Sequence, residues 1–167
     1  MTAPQLVIVG GGPIGLACAI EARMAGMDIV VVEPRDDPID KACGEGLMPG
    51  ALAALHRIGV DPPGHPLAGI AYLDDDRRVE HRFADRPGRG VRRTVLHRAL
   101  ARRAAELGAP VVRDRVTGVV QRRDAVELTL GADGSQTLET PWVIAADGLH
   151  SPIRRLIGLE GRAQRPR

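Results

Sequence analysis

Apolar residues fall into short runs set between glycines, prolines and charges, and only a few segments carry helical spacing. Residues 5–10 (QLVIVG) form such a run, β-branched in part and closed by glycines, which predicts a buried parallel strand. Residues 13–25 predict a helix, with Pro13 in the first turn, where a missing N–H does no harm, and Gly26 as its stop. Residues 28–33 (DIVVVE) predict a second buried strand, so the three segments make a βαβ unit. A charged loop follows over 34–42, then a helix over 47–58 stopped by Gly59, and a turn-rich linker over 62–66. Residues 69–74 and 79–83 read as a hairpin over Asp74-Asp75-Asp76, and 86–90 as a loop.

Thr94 is placed to cap a helix reaching Leu107, with Leu96, Leu100, Ala104 and Leu107 on one face. Gly108 stops it, and residues 110–113 enter a strand. Three short strands follow over 116–121, 125–130 and 136–139, with Asp124 and Gly131-Ala132-Asp133-Gly134 supplying the turns. Residues 142–146 are another buried apolar run, and Ser151 opens a last helix. The predicted class is α/β with a parallel sheet. A meander joins two parallel strands where a simple NAD domain would use a helix. That order resembles the glutathione-reductase-type FAD-binding Rossmann fold.

Length changes this picture little: 167 residues make one domain, and 44% apolar residues can bury a core. Tyr72, Phe83 and Trp142 are the only aromatics, so the core is aliphatic. A net charge of +2 creates no global field for a polyanion. Arginines cluster between Arg77 and Arg103, but without the interleaved aromatics that base stacking uses, so no nucleic-acid partner is expected. No apolar run reaches the roughly 18 residues of a membrane span. The N-terminus runs straight into the first strand without a secretory leader. Cys18 and Cys43 are the only cysteines, which fits a reducing compartment, and the expected location is cytoplasmic.

The strongest chemical signal is Gly10-x-Gly12-Pro13-Ile14-Gly15, with a strand before it, a helix after it, and Glu33 at the end of the next strand. Gly10 would make the tight turn and Gly12 would let backbone approach a pyrophosphate on the helix N-terminus. Gly15 would let helix and strand pack closely, and Glu33 would accept hydrogen bonds from the adenosine ribose. This unit alone does not choose between NAD and FAD, and a NAD-binding Rossmann dehydrogenase domain is the competing reading. The five histidines, His56, His65, His81, His97 and His150, lack metal-ligand spacing, and no metal site is expected.

Three further stretches carry a family resemblance. Asp147-Gly148-x-x-Ser151-x-x-Arg154 is similar to the D-G-x-x-S-x-x-R motif of class A flavoprotein monooxygenases and their geranylgeranyl-reductase-like and halogenase-like relatives. Arg93-x-x-Leu96-x-x-x-Leu100 is similar to the same superfamily's helix start. Cys43-Gly44-Glu45-Gly46-Leu47 resembles the C-G-x-G-L loop of its reductase and halogenase-like branch. The resemblance implies FAD as cofactor and NAD(P)H as transient reductant. Asp147 and Gly148 would touch the FAD region, and Arg93 would lie along the pyrophosphate or ribityl chain, with Arg92 as the alternative in a slipped register. Cys43 and Gly44 would run near the flavin ring, with Cys43 either a reactive thiol or a small residue in a tight loop. Arg35 would stand beside the adenine end.

The implied function is the FAD-binding part of an NAD(P)H-using oxidoreductase, a monooxygenase acting on a small organic substrate. The alternatives are a geranylgeranyl-reductase-like or halogenase-like enzyme and a non-catalytic FAD- or ADP-binding fragment. No residue stands out as a catalytic acid or base. Residues 1–160 are expected to form a partial FAD-binding domain with a hairpin insertion at about 67–90, and 161–167 a linker or tail. The family's later G-D motif and substrate sheet are not found after Gly161. The expectation is therefore a C-terminally truncated chain that pairs with a C-terminal partner or self-associates through uncovered sheet surface.

Overall fold

The computed structural model describes residues 3–36, 38–41 and 43–161. In chain order the first elements are β1 (Leu6–Val9), α1 (Pro13–Met24), β2 (Ile29–Val32), β3 (Gly46–Leu47) and α2 (Pro49–Arg57). Next come β4 (His65–Leu67), β5 (Gly69–Asp74), β6 (Arg77–Arg82), β7 (Gly88–Gly90) and α3 (Arg93–Glu106). The chain ends with β8 (Val111–Val112), β9 (Val116–Gln121), β10 (Val126–Leu130), β11 (Gln136–Thr140), β12 (Trp142–Ala145) and α4 (Pro152–Leu156). The chain divides into two compact units, Met1–Asp36 with Ala104–Arg167, and Asp37–Arg103.

The first unit is built on a four-stranded parallel sheet in the order β12-β1-β2-β8. β1 is buried along its whole length, which is why its sequence is a continuous apolar run rather than an alternation. Val7, Val9 and Val32 turn to one face and meet Val116, Leu128 and Leu130 of the antiparallel meander β9-β10-β11, with Ile153 of α4. Burying each such side chain contributes about 1.5–3 kcal/mol. Alternation leaves Leu6, Ile8, Ile29 and Val31 to the opposite face, where α1 packs against β1 and β2. The expected βαβ unit and meander are present. Trp142, expected in a buried strand, is 70% exposed where β12 begins.

The second unit holds a small antiparallel sheet, β3-β7-β4, against which α2 packs, and the hairpin β5-β6. Several expectations are corrected here. The linker at 62–66 and the loop at 86–90 contribute β4 and β7, and residues 46–47 pair as β3 instead of starting the next helix. α2 starts at Pro49, a residue suited to a first turn. α3 starts at Arg93, so Thr94 lies in its first turn instead of capping it. Among the described residues no helix is long and apolar enough to cross a membrane.

Candidate cofactor site

The glycine turn leaves the C-terminal end of β1 and enters α1. Gly10 has φ of 108°, and a Cβ there would lie 2.4 Å from the Ala146 carbonyl oxygen. Only glycine satisfies both the conformation and the approach. A Cβ on Gly15 would sit 1.8 Å from the Gly10 carbonyl oxygen, so the helix start rests directly on the turn. Gly12 differs: a Cβ there would meet nothing within 4 Å. It is the N-cap of α1 with no side-chain cap, and Pro13 follows without an N–H. Ile14 is 73% exposed beside this open stretch. The free approach to Gly12 and the positive helix end fit an anionic group brought close to backbone.

Glu33 follows β2 and is only 1% exposed. Its Oε2 accepts from the Gly11 N–H at 2.8 Å and from Arg35 Nη2 at 2.9 Å. Its Oε1 accepts from the Arg35 N–H at 3.0 Å and from Arg35 Nε at 2.7 Å. Burial alone would raise the pKa of this carboxyl. The hydrogen bonds from Arg35 and Gly11, with the Arg35 charge, outweigh burial and hold it below the ordinary glutamate value. Arg113 Nη1 in turn donates to the Arg35 carbonyl oxygen at 2.6 Å. Sequence reasoning missed Gly11 and Arg113. Gly11 was legible as the middle of the triple glycine: a Cβ there would lie 2.9 Å from Glu33 Cβ.

The Asp147-Gly148 turn adjoins the glycine turn. Ala146 N–H donates to the Val9 carbonyl at 2.8 Å, and a Cβ on Gly10 would lie 2.9 Å from Asp147 N. Both turns therefore occupy the carboxyl ends of neighbouring parallel strands, where open α/β sheets bind ligands. Asp147 Oδ2 accepts from the Ile153 N–H at 2.9 Å, and Ser151 Oγ caps α4 by accepting from the Arg154 N–H at 2.9 Å. Gly148 takes a positive φ of 95° in the turn between them. The Asp147 carboxylate is thus engaged at a helix start.

Gly10, Gly12, Pro13, Ile14, Gly15, Glu33, Arg35, Asp147 and Gly148 belong to the first unit, and Cys43, Gly44 and Arg93 to the second. Cys43 is exposed, and a Cβ on Gly44 would meet nothing within 4 Å. Ala42 of the same loop lies outside the described residues. Glu45 ties the loop to α3: its carbonyl accepts from the Val91 N–H at 2.7 Å and its Oε1 from the Arg93 N–H at 3.2 Å. Arg93 Nε is buried with no hydrogen-bond partner among the described residues. A buried donor left over in this way fits an acceptor on a ligand. Arg92, the slipped-register alternative, is exposed. No cluster of metal-binding side chains occurs among the described residues.

Comparison with known proteins places these features. The family described as FAD binding domain matches residues 3–166. Menaquinone reductase of Mycobacterium tuberculosis (strain ATCC 25618 / H37Rv) is 33% identical over 164 residues, covering 92% of this chain and 40% of that protein. Rifampicin monooxygenase of Streptomyces venezuelae is 30% identical, covering 93% of this chain and 34% of its own. Among solved structures, the anhydrotetracycline hydroxylase OxyS from Streptomyces rimosus superposes with a TM-score of 0.84 at 27% identity, covering 99% of this chain and 36% of that one. The chain thus spans about two fifths of the reductase and about a third of the other two.

Proposed function

We propose that this chain, which belongs to the FAD binding domain family, is the FAD-holding part of an NAD(P)H-using oxidoreductase acting on a small organic substrate. The observation that carries the reading is the buried, ionised Glu33 tied to the Gly11 N–H beside the open approach to Gly12. Gly10 and Gly15 shape the turn, Gly12 to Gly15 receive the pyrophosphate, and Glu33 accepts from the adenosine ribose, with Arg35 at the adenine end. Asp147 and Gly148 complete the floor of that site, and Arg93 supplies its free Nε–H to a phosphate or ribityl oxygen. The chemistry supplied when FAD is bound is two-electron redox at the flavin ring, with NAD(P)H as reductant. Residues 1–160 act as the FAD-binding domain with the hairpin at about 67–90 inserted and 161–167 as a tail, in a cytoplasmic protein. A C-terminal partner chain or self-association covers the sheet.

Monooxygenation is the first reading of the reaction. The second, a reductase, is favoured by Cys43-Gly44-Glu45-Gly46-Leu47 together with the 33% identity to a menaquinone reductase. Equilibrium dialysis tests the common premise. FAD is expected to bind with one-to-one stoichiometry and to be displaced by ADP, and Gly12→Val is expected to abolish binding by filling the approach. Glu33→Ala should weaken it by on the order of 1–3 kcal/mol, since the ribose loses a charged acceptor. FAD affinity unchanged by both substitutions would refute the site.

A further inference from the structure

In this ligand-free structure the carboxylate assigned to the ribose has no acceptor direction left. A carboxylate offers about four lone-pair sites. In Glu33 they are taken by the N–H groups of Gly11 and Arg35 and by Arg35 Nε and Nη2. The two backbone donors are fixed by the turn and by the strand exit. The two side-chain donors form a fork, Nε on Oε1 and Nη2 on Oε2. That fork presents two parallel donors to two carboxylate oxygens, which is also how a ribose 2′,3′-diol presents its two hydroxyls. The two groups compete for the same lone pairs.

Exposure decides which partner yields. The Glu33 side chain is 2% exposed and held by backbone, whereas the Arg35 side chain is 44% exposed. The Arg35 backbone is separately anchored, with its carbonyl accepting from Arg113. The guanidinium can therefore swing into water while its backbone N–H stays on Glu33. Resting on the FAD reading above, we propose that Arg35 is an intramolecular surrogate for the ribose diol. It neutralises the buried Glu33 while the site is free and must leave before a ribonucleotide binds. Arg35 thereby sets affinity by competition and confines recognition at Glu33 to ligands that offer a vicinal diol.

The apparent affinity of a site is reduced by the fraction of molecules in the competent state. If the fork is open about a tenth of the time, its removal tightens binding about tenfold. Calorimetric titration of wild type, Arg35→Ala and Arg35→Lys with ADP and with 2′,3′-dideoxy-ADP tests this. Arg35→Ala is expected to bind ADP about tenfold more tightly than wild type, with dideoxy-ADP bound equally by both. Arg35→Lys keeps a charge beside Glu33 but cannot fork, and is expected to bind ADP several-fold more tightly. It serves as the deciding variant if Arg35→Ala fails to fold. Equal or weaker ADP binding by the variants overturns the surrogate role while leaving the cofactor site standing. So does a gain of the same size for dideoxy-ADP. Absence of ADP binding to all three chains overturns the cofactor-site reading, and the inference with it.

Discussion

Glu33 carries a negative charge in a place where burial alone would favour the protonated acid. The Arg35 fork and two backbone N–H groups reverse that preference, and the folded pKa lies below the ordinary 4.5 of a glutamate. A depressed folded pKa gives stability that is fully present above the unfolded value and is lost as pH falls through the folded one. Glu33→Gln removes the charge and points an amide donor at existing donors. The variant should be less stable than wild type at neutral pH by about 2 kcal/mol, the scale of hydrogen bonds to a charged group. The gap should stay level down to about pH 4.5 and shrink below it. Urea unfolding of the two chains across that range measures it, and a gap that is absent at neutral pH or widens in acid would contradict the assignment. At this scale the sequence was partly legible. Gly10, Gly12, Gly15 and Glu33 stand out because residue type alone explains them. Gly11 and Arg113 act through a backbone N–H and a backbone carbonyl, which leave no compositional trace.

Elements buried on both faces were the easiest to read. β1 and β2 are continuous aliphatic runs, and such a run has few other fates in a soluble domain. The three-residue strands β4 and β7 were missed because they contain Pro66, Gly88 and Gly90 and owe their existence to pairing with each other and with β3. Nothing in their local spacing announces that pairing. α4 was found from its Ser151 cap, yet the second support came from Asp147, which accepts from the Ile153 N–H. Five residues form no stable helix alone, so the caps and the burial of Ile153 must hold it. Asp147→Ala and Ser151→Ala should each destabilise this corner by about 1 kcal/mol. Hydrogen exchange at the Ile153 and Arg154 amides reads this locally: faster exchange is expected in the matching variant, and unchanged exchange in both would sink the capping account.

At the scale of the molecule, the first unit gathers the adenosine-side groups on one parallel sheet, while Cys43, Gly44 and Arg93 belong to the second unit. The relatives that share this arrangement are much longer, the reductase matching over 40% of its length. The surface described carries Trp142, Leu149 and Leu159 of the first unit and Tyr72, Leu73 and Val79 of the second as exposed large apolar residues. Patches of this kind mark contacts with further protein. Holding the ADP half of a cofactor needs a turn, a helix end and a carboxylate, all of which residues 1–167 supply. Driving hydride transfer needs more: the flavin ring must be oriented against nicotinamide and shielded from water, and both are large catalytic terms. No residue described here is placed to act as acid or base on a substrate. Residues 1–167 purified with excess FAD are therefore expected to bind it, to associate at raised concentration, and to consume NADH or NADPH under air no faster than free FAD. Spectrophotometric turnover beside a free-FAD control decides the point. Steady consumption well above that control would show that these residues alone orient and enclose the ring.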